Sequence, residues 1–341
     1  MEPTPEKQPI KRTVRGVAMQ LLPWVVTAAL VGYLVHTTDL SRVWATVRRV
    51  DVGLLVLYSV LTIAVTYLID TFSLKLAFSR FHHPTSMGDL LPVKAASYLL
   101  NILNYNAAAG SIALMMKVRR EVPVVEGLGT MLWISVLDLA ILNLLSLGGT
   151  YFVSLEGGTL WIRLMNVAII GAFVGSLIYW NGGFDFFVLG RLRSWRVFNG
   201  FRVASLVDYA AIGAVRLALI GVYILSNWLV LPLFGILIPL HVLLVFVPIL
   251  TLINVLPISV SGLGTGQVVM RVLFSSFVVL ETAQHTRALT DPVVDAFSTS
   301  FIVVQLFFRI ALGLTCLPLV SRDIKRRQAA ALKASTEARS D

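Results

Sequence analysis

Asn254-Val-Leu-Pro-Ile-Ser-Val-Ser-Gly-Leu-Gly-Thr-Gly-Gln267 interrupts an apolar run of membrane length with a proline, two serines and three glycines. Earlier in the chain, Asn101-Ile-Leu-Asn-Tyr-Asn-Ala-Ala-Ala-Gly110 interrupts a second such run. An unbroken helix satisfies its own backbone, whereas a broken one exposes N–H and C=O groups that hydrocarbon cannot solvate. Such breaks persist where protein buries them or where they line a polar cavity. A matched pair, one in each half of a polytopic chain, is the sequence pattern of a transporter's binding site. Carriage across a membrane is therefore the leading expectation.

Working outward, the 341 residues are 57% hydrophobic and only 13% charged, with a mean hydropathy of +0.83. That charge is too sparse for the surface of a soluble protein of this length, so lipid is the expected solvent. The net charge of +10 sits in both tails and in particular loops, without a basic domain to grip phosphates. Orientation by the positive-inside rule and contact of basic loops with anionic lipid headgroups account for it, and nucleic acid is not expected as a partner. The single cysteine, Cys316, excludes an intramolecular disulfide and a cysteine-based zinc cluster. No cleaved signal is evident, and the run after Lys11, Arg12 and Arg15 reads as a first membrane helix.

Six full spans are expected: Val17 to Val35, Val52 to about Leu76, Gly127 to Gly148, Ile162 to Trp180, Leu206 to about Leu231, and Val293 to Pro318. Residues 40–50 place apolar side chains at 40, 43, 44, 47 and 50 opposite Arg42, Arg48 and Arg49, the pattern of a helix lying in the interface. The interrupted stretches, about 90–116 and 233–280, read as hairpins that leave on the side they enter. Both tails are basic, which places both termini in the cytoplasm, with the first hairpin opening there and the second on the opposite side. The expected fold is an all-α polytopic membrane protein with about six full spans and two re-entrant helical hairpins in a pseudo-symmetric inverted repeat. Residues 1–16 form a disordered cytoplasmic tail, 17–320 one integral membrane domain with repeat halves at about 52–148 and 206–318, and 321–341 a basic cytoplasmic tail.

The second break, with Leu256-Pro-Ile-Ser and Ser261-Gly-Leu-Gly264, resembles the Pro-rich, Gly-Gly-Leu-Gly segment of the flippase-like transmembrane region of lysylphosphatidylglycerol synthases. The first break is similar to that family's earlier motif, a short polar turn ending in glycine before a basic-flanked helix: here Asn104 to Gly110, then Lys117 and Arg119. Asp138, in the helix after the first motif, and Arg309, in the last helix, also look similar to family positions. The resemblance covers most of the chain and implies a free-standing flippase-like protein of the cytoplasmic (inner) membrane. Two positions depart from it. A glutamate commonly follows each glycine turn in the family, and Ser111 and Gln267 stand there instead. An aminoacyl-transferase segment such as the full synthases carry is missing, so lipid aminoacylation is not expected.

Gly262, Gly264 and Gly266 permit positive φ and close backbone approach within the membrane. Free N–H groups at such a turn favour an anion such as a lipid phosphate, with Ser259, Ser261, Thr265 and Gln267 adding neutral hydrogen bonds. Asp70, Asp138, Asp208, Arg216, Arg271 and Arg309 lie in or near apolar runs, where ionisable groups face a cavity or one another. Asp70 and Asp208 sit near the expected helix ends and suit the interface. Asp138 and Arg309 lie deeper, and Gln305 shares a helix face with Arg309. His82 and His83 read as ordinary loop residues. The expected pathway residues are Asn104, Gly110, Asp138, Pro257, Ser259, Gly262, Gly264, Gln267, Arg271, Gln305 and Arg309.

The expected function is movement of an amphipathic lipid or lipid-linked substrate between leaflets, without cofactor, metal site or catalytic residues. The rival readings are a non-transporting partner of a cell-envelope synthesis complex and a membrane-embedded lipid-modifying enzyme. No Gly-rich phosphate loop ending in Gly-Lys-Ser/Thr is present, so any driving force comes from a gradient or a partner.

Overall fold

The computed structural model describes residues 40–101, 105–152, 159–182, 189–255, 264–279 and 287–340, with Gly32 and His36. Among these the chain is all helical, and five helices are long and apolar enough to cross a membrane. They fall on five of the six expected spans; the sixth, Val17 to Val35, lies outside the described residues, as does the tail at 1–16.

Helix α1 (Leu40–Arg49) is followed by α2 (Val52–Phe81), whose N-terminus is capped by the Asp51 carboxylate accepting from the Leu54 N–H at 3.0 Å. Along α2, Leu54, Leu57, Leu61 and Leu68 are exposed, while Ser59, Thr62, Thr66 and Ser73 are buried. That inside-out pattern is the signature of a helix whose outer face meets lipid. The buried hydroxyls of Thr62, Thr66 and Thr71 donate to carbonyls one turn back, so these three groups are not lost to hydrocarbon.

The first interrupted stretch forms α3 (Met87–Asn101) and α4 (Tyr105–Arg120), which pack on each other. Their outer ends are tied: Arg120 pairs with Asp89, and Arg119 Nη1 donates to the Asp89 carbonyl at 2.5 Å. Helices α5 (Val124–Gly149) and α6 (Thr159–Asn181) follow, then the short α7 (Leu189–Arg193) and α8 (Asn199–Val203). Helix α9 (Leu206–Val230) starts with a capping box between Ser205 and Asp208. The second interrupted stretch forms α10 (Leu240–Val255) and α11 (Thr265–Phe274). Its ends also meet, because Leu237 N–H donates to Phe277 O at 3.0 Å and Val279 N–H to Gly235 O at 2.9 Å. Helix α12 (Arg287–Ser340) runs on past Pro318 into the basic segment, where the sequence predicts only a tail.

The two closed pairs open at opposite ends of α9. Arg80, at the end of α2 and just before the first pair, meets Asp208 in the first turn of α9 at 2.9 Å. The second pair begins just after α9 ends, and 25 helical residues separate the two by about 37 Å. Helix α2 packs along α9, α3 against α12, α5 against α10, α4 on α5 and α11 on α12. Exchanging α2–α5 with α9–α12 in order carries the α2–α9 pairing onto itself and each of the others onto another of the set.

Apolar packing forms two cores. One gathers Phe78, Phe81, Trp133 and Tyr209 at the Arg80 end; the other gathers Phe234, Phe246, Phe274 and Phe297 at the far end. One approach of helix to chain is unusually close. A Cβ on Gly129 would stand 2.0 Å from the Val197 carbonyl oxygen, which is backbone and has little room to move. Gly129→Ala is expected to cost about 1–3 kcal/mol of stability, read as a lower melting temperature in detergent. Alanine tolerated without change would show that this contact is looser.

Candidate functional site

Three helices change core at the same level. On α2 the change falls between Leu55 and Leu74, on α5 between Leu137 and Leu142, and on α9 between Ile212 and Ile220. Asp70, Asp138 and Arg216 occupy those intervals. Arg216 Nε donates to Asp138 Oδ1 at 2.5 Å, and Nη2 reaches the second oxygen, the bidentate fork that guanidinium and carboxylate favour. Its Nη1 donates to Asp70 Oδ1 at 2.5 Å and to Ser73 Oγ at 3.2 Å. Lys94 of α3 closes on the other oxygen of Asp70. Two carboxylates and two cations make the cluster neutral, which lets four charges sit between two apolar cores.

The interfacial place expected for Asp70 is corrected here. Helix α2 does not end near Leu76 but continues to Phe81, so Asp70 lies three turns inside it. Asp208 does sit at a helix end, where it caps α9 and meets Arg80.

A cavity of about 430 Å3 opens beside this cluster, and each of α2–α5 and α9–α12 contributes to its wall. Asp138, Gln305 and Arg309 line it, joined by Asp70, Lys94 and Arg216. Arg309 holds its guanidinium over the Tyr98 ring, 5.6 Å from the centroid, a cation–π placement. No carboxylate among the described residues pairs with it. The Gln305 side chain is buried, and its Oε1 has no hydrogen-bond donor among the described residues. Asn101, Asn106 and Asn227 add neutral polar groups to the wall.

Arg271 and Gln267 take a different place. Arg271 Nε donates to Asp295 Oδ1 at 2.7 Å and Nη2 to Oδ2 at 2.5 Å, both residues being buried. Gln267 Nε2 donates to Thr299 Oγ1 at 3.2 Å. These contacts staple α11 to α12, and the neighbours Gly266 and Met270 face the cavity instead. Gly264 caps α11 with φ +86°, a conformation that favours glycine. Gly110 lies within the helical α4, with open space where a Cβ would stand. Asn104, Pro257, Ser259 and Gly262 lie outside the described residues.

The sequence reading misses Lys94 and Asp295. Each is an ionisable residue in an apolar stretch, the same signal that singles out Asp138, and that signal would have found them. His82 is also more than a loop residue: its side chain is buried against Thr130, with Nε2 2.8 Å from Oγ1. Burial holds its imidazole below the usual value, with Glu126 opposing and His83 adding to the effect. Asp89, at the mouth of the α3–α4 pair, is raised by burial but lowered further by Ser86 and Arg120, and stays below the usual carboxylate range.

These features define an integral, multi-pass, all-helical membrane protein with a charged interior cluster beside a cavity whose wall mixes apolar and polar groups. The sequence profile of the lysylphosphatidylglycerol synthase TM region matches residues 20–290, and the chain belongs to that family. No curated protein matches the chain.

Proposed function

We propose that the protein carries an amphipathic lipid between membrane leaflets, with the headgroup passing through the cavity and the acyl tails remaining in the bilayer. The observation that carries this reading is the cavity itself. Its largely apolar wall carries a charged cluster and several neutral polar groups, both interrupted helix pairs contribute to it, and it is set between two apolar cores in a chain of a lipid-linked membrane family. The pairs α3–α4 and α10–α11 act as re-entrant hairpins, the first entering from the cytoplasmic side and the second from the opposite side. Their closed bases at opposite ends of α9 support that arrangement, and the exchange of helix contacts supports an inverted repeat. Both termini then face the cytoplasm of an inner-membrane protein that works by carriage, without a catalytic step or cofactor.

Reconstitution in liposomes tests this. Headgroup-labelled lipid is expected to cross the bilayer rapidly with the wild-type protein, and Gly264→Leu, which forces a side chain into φ +86°, is expected to abolish the movement. A folded wild-type protein that moves no lipid would favour a role as partner to an envelope-synthesis enzyme.

A further inference from the structure

The two interrupted pairs line one cavity but are tied to the bundle in different ways. Gln267, Arg271 and Ser275 lie four residues apart along α11 and its end, and Thr299, Asp295 and Asp291 run back along α12 at the same spacing. Gln267 Nε2 donates to Thr299 Oγ1, the Arg271 guanidinium forks onto the Asp295 carboxylate, and Ser275 Oγ donates to Asp291 Oδ1 at 2.9 Å. These rungs form a polar ladder that joins α11 to a full span. The side chains of its central rung are only 9% and 8% exposed, so parting them would strand two charges in a dry interior.

The first pair turns its outer polar contacts on itself. Asp89, in the first turn of α3, pairs with Arg120 through its carboxylate and accepts from Arg119 through its carbonyl, which binds the two arms together. Helix α4 meets α5 through apolar and small residues. Ile112 and Met116 join Met131 and Ile134 in one core, and Ala113 Cβ stands 3.2 Å from where a Cβ on Gly127 would lie. Contacts of this kind are non-directional and suit sliding of one helix on another. Towards α2, helix α3 makes the Lys94–Asp70 ion pair and accepts one hydrogen bond at Leu91 O from Tyr67 Oη, 2.7 Å long. Towards α12 it presents the Tyr98 ring to Arg309. Lys94 is a point charge on a flexible stem, without the fork of Arg271. It and Asp70 both open on the cavity, at 14% and 16% exposure. When Lys94 moves away, Asp70 keeps Arg216, and the Lys94 ammonium keeps the face of the Tyr98 ring on its own helix, 5.4 Å away.

We propose that α3–α4 moves as one body and gates the cavity, with Lys94–Asp70 as its latch, while α11 is a fixed wall. Two equivalent repeats would move alike, and the ladder on α11 removes that equivalence. The gate rests on the carriage reading for its purpose, but its motion is measured without translocation.

The measurement is a pair of spin-label distance distributions in the full chain in phosphatidylcholine vesicles, with Cys316→Ser removing the native thiol. Leu114→Cys on α4 with Leu217→Cys on α9 reports the first interrupted pair, and Val272→Cys on α11 with Leu61→Cys on α2 reports the second; all four side chains are exposed. The first distribution is expected to hold two populations and the second one. Lys94→Met with Asp70→Asn removes one charge of each sign and leaves Asp138 balanced by Arg216. This variant is expected to shift the ratio of the two populations about fivefold and to leave the second distribution unchanged. Should it not fold, the wild-type distributions decide alone. A single distance for the first pair, or two for the second, would overturn the gate. A disulfide between Ala113→Cys and Gly127→Cys, whose Cβ atoms start close to disulfide spacing, then separates gate from carriage. It is expected to stop the movement of headgroup-labelled phosphatidylethanolamine in liposomes, and reduction is expected to restore it. Movement that persists with the disulfide closed would overturn the gate and leave carriage standing. Two populations without lipid movement, closed or reduced, would leave the gate standing and defeat carriage.

Discussion

Arg216→Gln is expected to destabilise the protein by about 3–5 kcal/mol, the range for removing one partner from a buried ion pair. The variant leaves Asp70 and Asp138 facing each other with Lys94 as the remaining cation, so a neutral cluster gains one uncompensated negative charge. The two carboxylate side chains are 16% and 18% exposed to the cavity, where water can relax part of the penalty, so the lower half of that range is expected. Against a total stability of about 5–15 kcal/mol such a loss is large. Adding Asp138→Asn restores neutrality, because Asp70 and Lys94 still balance. The double variant is therefore expected to melt above Arg216→Gln alone, with a coupling of about 0.5–3 kcal/mol in a double-mutant cycle. An Arg216→Gln protein within about 1 kcal/mol of wild type would mean that the cluster is solvated and carries little of the fold.

The second large effect is expected at α11 and α12. Asp295→Asn leaves the Arg271 guanidinium buried beside a neutral amide and should likewise cost about 3–5 kcal/mol. Replacing both partners, Arg271→Met with Asp295→Leu, removes the charge and its desolvation together and is expected to be close to neutral. The contrast separates structure from pathway. A double variant that melts normally and still moves lipid identifies the pair as a staple that fixes the short helix α11. Normal melting with lost movement would assign Arg271 to the headgroup path.

The membrane class of the chain is legible from composition, and several helix boundaries are legible from punctuation. Asp51 before α2, Ser205 before α9 and the glycine at 264 before α11 are all local signals that act through a few neighbouring backbone groups. The two breaks are equally legible, because proline removes a helical N–H and glycine and asparagine tolerate non-helical backbone, so their clustering in an apolar run ends a helix. Positions fixed by distance along the chain are less so. Hydropathy fades near Leu76 and points Asp70 to the interface, whereas the helix runs on to Phe81 by packing against the Trp133 and Tyr209 core. The polar residues before Gly110 suggest a turn there, a longer break than the start of α4 at Tyr105 allows.

Residues close together in the chain set the solvent it folds in, the approximate course of its long apolar helices and the presence of charges inside them. How those charges are shared is a matter of tertiary packing. Asp70 finds Arg216 across 146 residues and Asp138 finds it across 78, and which acid takes which base depends on helix rotation and depth. That pairing leaves Arg309 as the cation of the cavity wall that no carboxylate among the described residues holds. Charge neutralisation inside a low-dielectric bundle is a property of three-dimensional neighbours, and a one-dimensional list of ionisable residues does not contain it.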